Sequence, residues 1–89
     1  MTYPWLEWLR PSLRLTYRAI LHRSETDARE VWVASQAGAD DWTADGKPLD
    51  PTAYVLRYTT GNGVEPTVHA DIGAAKAAAA AALRMMGHL

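Results

Sequence analysis

The most distinctive segment of the chain is Asp71-Ile72-Gly73-Ala74-Ala75-Lys76, followed by alanine at every position from 77 to 82 and then by Leu83-Arg84-Met85-Met86-Gly87. Asp71 is suited to accept backbone N–H bonds as an N-cap, and Gly87 can adopt the left-handed conformation that ends a helix. We therefore predict one C-terminal helix over residues 71–87. Its apolar positions are spaced three and four apart, which predicts an inner face made of Ile72, Ala75, Ala79, Ala82 or Leu83, and Met86.

The chain before this helix favours strands. From Leu13 to His22 the residues alternate, with Tyr17, Ala19 and Leu21 among those on one face. Further strands are expected at residues 30–35 and 53–60, and a weak edge strand at 64–70. We predict a single domain over residues 1–89 of the α+β class. It has two layers, a three- or four-stranded antiparallel sheet (residues 13–70, with a long loop at 36–52) covered on one face by the helix.

The N-terminal segment, residues 1–12, carries two tryptophans between two prolines. Trp5 and Trp8 share a face if the segment is helical, but Pro4 and Pro11 limit it to about one and a half turns. A short helix or an extended arm is therefore expected. The tryptophans either cover the sheet face opposite the C-terminal helix or form an exposed patch, which would favour a homodimer.

Composition narrows the possible functions. The 89 residues carry a formal net charge of −1, so no global positive field attracts nucleic acid, and any such binding has to be local. The chain has no cysteine, which excludes disulfides and thiolate metal sites and fits a cytoplasmic protein. No signal peptide and no membrane span are expected from the hydropathy pattern.

Motifs for catalysis or metal binding are missing from the sequence. His22, His69 and His88 lack the spacing of metal ligands, and neither Ser24 nor Ser35 lies in a nucleophile elbow. We predict no cofactor, no metal and no enzymatic activity.

The loop at residues 36–52 is rich in Gly, Asp and Pro and is long for so small a domain, which is typical of a functional segment. One hypothesis makes it a protein-contact loop, with a tryptophan anchor and acidic neighbours that steer it to a basic surface. The alternative is that the tryptophan caps the core while the aspartates stay solvated. The residues concerned are Asp40, Asp41, Trp42 and Asp45.

A local basic stripe is the second candidate site. Arg14, Arg18 and His22 fall on one face of the first predicted strand. Together with Lys76 they could follow a nucleic-acid backbone. Charges on an edge strand also prevent aggregation, so the stripe has a purely structural explanation as well.

The helix also carries a resemblance. Asp71, Ile72 and Ala75-Lys76-Ala77-Ala78-Ala79 resemble the capped helix that ends some small phage and prophage accessory proteins, and more distantly the alanine-rich last helix of double-stranded-RNA-binding domains. The RNA-binding family places several lysines at the start of this helix to meet phosphates. This chain has Lys76 there behind the acidic Asp71, which argues against RNA binding.

The phage resemblance implies an accessory protein that binds and modulates a host protein, for example a component of antiviral defence. The sequence therefore predicts a non-enzymatic protein–protein interaction module that contacts its partner through the acidic loop or a sheet edge. The alternative is a nucleic-acid-binding protein with a fold like that of the RNA-binding domains.

Overall fold

The computed structural model describes residues 2–11, 15–37 and 52–89. Within these residues, five strands and one helix follow one another, and the strands form one sheet in the order β1-β2-β3-β4-β5, with every neighbouring pair antiparallel. The elements are β1 (Trp5–Trp8), β2 (Thr16–His22), β3 (Ala28–Gln36), β4 (Tyr54–Tyr58), β5 (Thr67–His69) and α1 (Ile72–Met85). The predicted α+β layout is confirmed, with one strand more than the three or four expected.

The additional strand is β1, and the helical alternative for the N-terminal segment is wrong. Trp5 to Trp8 pair with His22 to Ala19 of β2, and the backbone N–H of Leu9 donates to the carbonyl of Arg18 at 2.8 Å. The free edge of β2 therefore satisfies the backbone groups of this short segment better than one isolated helical turn could. Because residues alternate across a strand, Trp5 and Trp8 lie on opposite faces of the sheet and do not form one patch.

The core lies between the sheet and α1. Ala75, Ala79 and Leu83 of the helix are fully buried, and they pack with Ala19 and Leu56 of the sheet. Alanine lets the helix lie close to the strands, while larger side chains of the sheet fill the volume around it. The other buried members of this cluster are Leu21, Val31, Trp32, Ala34 and Tyr54. The predicted inner face of α1 is confirmed at its centre, but Met86 is exposed.

Both ends of α1 use the groups expected from the sequence. The carboxylate of Asp71 accepts the backbone N–H of Ala74 at 2.8 Å. At the other end Gly87 has a φ of 81°, and its N–H donates to the Arg84 carbonyl. The N–H of His88 donates to the Leu83 carbonyl at 2.8 Å, which completes a Schellman motif. This turn brings the chain after the helix back toward the sheet, where Leu89 packs against the core.

An irregularity in β3 shifts the sheet register. The β2–β3 pairing changes between Ala19 and Ile20, which leaves Val31 as an extra residue between Glu30 and Trp32. Val31 and Trp32 are consecutive and both are buried in the core. A β-bulge of this kind lets two adjacent side chains serve the same layer.

Candidate functional site

The sheet has an outer face, the face turned away from α1, and among the described elements none packs across it. Cross-strand register places its side chains in rows. One row holds Ile20 between Glu7 and Glu30, and the next holds Val33 between Arg18 and Arg57. Ile20 and Val33 are both half-buried. The full set of the outer face is Trp5, Glu7, Thr16, Arg18, Ile20, His22, Ala28, Glu30, Val33, Ser35, Val55, Arg57 and Val68. Val55 is only 4% exposed, so its part of the face is not free surface.

The charges of the outer face are balanced and engage one another. Arg18 forms a salt bridge with Glu30, with 3.2 Å between Nη1 and Oε2. Arg57 donates to the hydroxyl of Ser35 at 3.5 Å. The two arginines and two glutamates are equal in number, but only Arg18 and Glu30 are in direct contact, and the cationic and anionic groups flank separate apolar residues. This pattern provides apolar contact area surrounded by charges of both signs, which suits recognition of a protein surface.

At one end of the outer face, an aromatic group orients a histidine–carboxylate pair. The ring of Trp5 stacks on the ring of His22, with centroids 4.3 Å apart and an angle of 8° between the planes. Nε2 of His22 lies 2.8 Å from Oε1 of Glu7. Such a pair is one part of an acid–base device, which also needs a nucleophile or a substrate within reach. The described serines contact other groups, because Oγ of Ser24 accepts from the backbone of Asp27 and that of Ser35 accepts from Arg57.

The described members of the predicted basic stripe are separated by the sheet. Arg18 and His22 lie on the outer face, and each is paired with a carboxylate. Lys76 lies on the helix side, where its Nζ is 5.6 Å from the centre of the Trp8 ring and 5.3 Å from that of Tyr17. These are cation–π contacts, and they use the lysine to fasten α1 to the first two strands. The stripe therefore does not form one continuous cationic track.

The remaining predicted site residues lie outside the described parts of the chain. This holds for Arg14 of the basic stripe and for Asp40, Asp41, Trp42 and Asp45 of the acidic loop. Their proposed contact with a partner stays a prediction from the sequence.

The sheet edges offer less surface than expected for strand pairing with a partner. β1 has four residues and is bounded by Pro4 and Pro11, while β5 has three residues and follows Pro66. Short edges with proline, which lacks the N–H donor, are a common protection against edge-to-edge pairing.

Other classes of site find little support in the described residues. Within these parts of the chain, no three His, Cys, Asp or Glu side chains come together as possible metal ligands. His69 contacts the hydroxyl of Thr67 at 2.7 Å instead of a carboxylate. Over the same residues, no helix has the length and hydropathy needed to cross a bilayer.

The sequence predicted that Arg18 and His22 share a face, but it did not predict the arrangement of Val33 and Arg57 beside them. Alternation along β2 places Arg18, Ile20 and His22 on one face. The neighbours of that face depend on the register between strands, which the bulge at Val31 shifts by one residue.

Comparisons of the chain with protein-family models, with curated protein sequences and with solved structures find no match.

Proposed function

We propose that this protein is a protein-binding module that contacts its partner through the outer face of its sheet. One observation carries the proposal, the balanced arrangement in which Ile20 lies between two glutamates and Val33 between two arginines. A partner with the complementary pattern gains apolar burial at the centre and charge pairing around it. Arginine and tryptophan, which often dominate binding energy at interfaces, both occur on this face.

The charge balance favours a protein partner over nucleic acid. Binding to a phosphate backbone gains its free energy from an excess of lysine and arginine that displaces counterions. On the outer face Arg18 is already engaged by Glu30, and His22 is engaged by Glu7. A nucleic acid would have to displace or tolerate both carboxylates. Nucleic-acid binding remains the alternative, and the same experiment separates the two.

The resemblance of the helix extends the proposal. In this account the protein is an accessory protein of a phage or mobile element, and its partner is a host protein whose activity it modulates. The acidic loop with Asp40, Asp41, Trp42 and Asp45 would then supply a second, separate contact.

Charge reversal on the outer face tests the proposal. Wild-type protein and an Arg18→Glu/Arg57→Glu variant are used as bait in lysate of the source organism, and an Arg10→Glu variant serves as the exposed control. The wild type and the control should retain a specific protein after nuclease treatment, and the double variant should lose it. A Trp42→Ala bait tests the loop separately.

Two results would contradict the proposal. One is a captured protein that is indifferent to both outer-face changes. The other is a partner that disappears on nuclease treatment and whose retention falls steeply with salt, which would favour the nucleic-acid alternative. Thermal unfolding of each variant checks that the fold is retained.

A further inference from the structure

A cleft lies on the helix side of the sheet, at the end where the β2–β3 hairpin extends past the C-terminus of α1. Its volume is about 220 Å³. We call it the sheet-end cleft. It is lined by Leu21, Arg23, Arg29, Val31, Tyr58, Thr60 and His88. The lining comes from the hairpin, from the end of β4 and from the turn after the helix.

The polar lining consists mainly of unused hydrogen-bond donors. The guanidinium groups of Arg23 and Arg29 make no hydrogen bond to any described residue, and about half of each side chain is exposed, 51% and 58%. The hydroxyls of Tyr58 and Thr60 likewise have no hydrogen-bond partner among the described residues. An arginine fork presents five N–H donors and no acceptor, so two of them in one cleft select for oxyanions.

One carboxylate lies close to both arginines of the cleft. Asp27 sits between the arginines, with 3.8 Å from its Oδ2 to Nε of Arg23 and 3.6 Å from its Oδ1 to Nη2 of Arg29. Both distances are longer than a hydrogen bond, so the carboxylate attracts the two groups without saturating their donors. The residues that line the cleft include these two arginines and no carboxylate.

The turn after the helix satisfies several carbonyl groups at the C-terminal end of α1. A helix C-terminus carries partial negative charge on its free carbonyl groups. Here the carbonyls of Ala82, Leu83 and Arg84 accept the N–H groups of Met86, His88 and Gly87. The same turn places His88 in the cleft wall.

Leu21 and Val31 also line the cleft, but each is only 2% exposed and belongs to the core, so the accessible lining is mainly polar. We propose that the sheet-end cleft binds a small organic oxyanion through its phosphate or carboxylate group. The anionic group contacts Arg23 and Arg29, with Tyr58, Thr60 and His88 as further donors. This site is on the opposite side of the sheet from the outer face, so it is independent of the protein partner.

An NMR titration of the ¹⁵N-labelled protein with phenyl phosphate, benzoate and benzyl alcohol tests the proposal. At least one of the two anions should shift the signals of residues around the cleft saturably, with a Kd on the order of 1 mM or tighter. The anion that binds more tightly identifies the group. The neutral alcohol should bind at least about tenfold more weakly, which corresponds to about 1.4 kcal/mol.

Variants distinguish binding in the cleft from non-specific electrostatic attraction of an anion to the protein. Arg23→Gln/Arg29→Gln should abolish saturable binding, whereas Arg10→Gln, an exposed arginine elsewhere, should leave the Kd unchanged. Asp27→Asn removes the competing carboxylate and should tighten binding by about two- to fivefold. The backbone hydrogen bonds of Asp27 with Arg23 and Ser24 do not involve its carboxylate, so the variant should retain the structure of the hairpin.

The proposal is overturned if neither anion gives saturable shifts, if benzyl alcohol binds as well as the anions, or if the double variant binds like the wild type. A response to an oligonucleotide without one to either small anion would also overturn it.

Discussion

At the scale of single residues, Lys76 shows how a cation can serve the fold. The sequence pattern predicted this lysine near the start of a helix, in a position from which a lysine could contact a phosphate. In the structure its ammonium lies over Trp8 and Tyr17. The sequence could not reveal this role, because Trp8 belongs to a segment whose secondary structure was ambiguous. That segment also lies nearly seventy positions before Lys76 in the chain. The contact depends on the pairing of β1 with β2.

Replacing Lys76 tests this role. Lys76→Gln removes the charge but keeps much of the stem, and we expect the free energy of unfolding to fall by about 0.5–1 kcal/mol because a half-buried cation–π contact is lost. Lys76→Arg should retain most of the stability. Urea unfolding followed by tryptophan fluorescence measures both. A Gln variant as stable as the wild type would show that the lysine contributes nothing to the packing of α1.

Tyr54 gives a prediction at high pH. Burial raises the pKa of its phenol above the ordinary value, and the neighbouring Tyr17 raises it further. Below about pH 10 the phenol is protonated in both the folded and the unfolded chain, so its contribution to stability is fully present. As the pH rises further, the unfolded chain releases the proton first, and this contribution is lost.

The free energy of unfolding of the wild type should therefore fall between about pH 8 and pH 11. That of the Tyr54→Phe variant should fall less over the same range. Urea unfolding curves at the two pH values measure the difference. An equal loss of stability in wild type and variant would assign the alkaline effect to other groups.

At the scale of secondary-structure elements, the sequence predicted the strands and the helix that have strong local patterns. The alternation of β2 and the capped alanine run of α1 both identify their elements without reference to the rest of the chain. β1 was missed because Trp5-Leu6-Glu7-Trp8 is too short for a period of two to be told from a helical turn. The bulge at Val31 was also missed, since it exists only as a relation between β2 and β3.

The Schellman turn after α1 gives a direct test at this scale. Gly87 has a φ of 81°, which an alanine adopts only with strain, and no atom lies within 4 Å of an added Cβ, so the cost is conformational. We expect Gly87→Ala to lower stability by about 1 kcal/mol, which is a fall in melting temperature of roughly 4–8 °C.

Gly87→Asn is the matched control, because asparagine tolerates the left-handed region better than alanine. It should lose clearly less stability than the alanine variant. If both variants melt like the wild type, the turn does not hold the end of α1 and the wall of the sheet-end cleft as described.

At the scale of the whole molecule, the two-layer plan followed from the sequence, but the two surfaces did not. The outer face brings together Ile20, Val33 and their charged neighbours only through the register of four strands. The sheet-end cleft collects side chains from four separate segments, and His88 lies after the end of the helix. A sequence pattern indicates which residues share a face within one strand or helix. Both surfaces consist of residues that different elements bring together.

The central claim is that α1 covers one face of the sheet and that the opposite, outer face binds a protein. The measurement that tests it most directly is cross-linking from one defined position on that face. A photoreactive phenylalanine analogue replaces Val33, and in the matched control it replaces Ala77, an exposed residue of α1. Each protein is irradiated in lysate of the source organism, and adducts are identified by mass spectrometry.

We expect a defined protein adduct from position 33 and none from position 77, and unlabelled wild-type protein should compete the adduct away. No adduct from position 33, the same adduct from both positions, or an adduct to nucleic acid would contradict it.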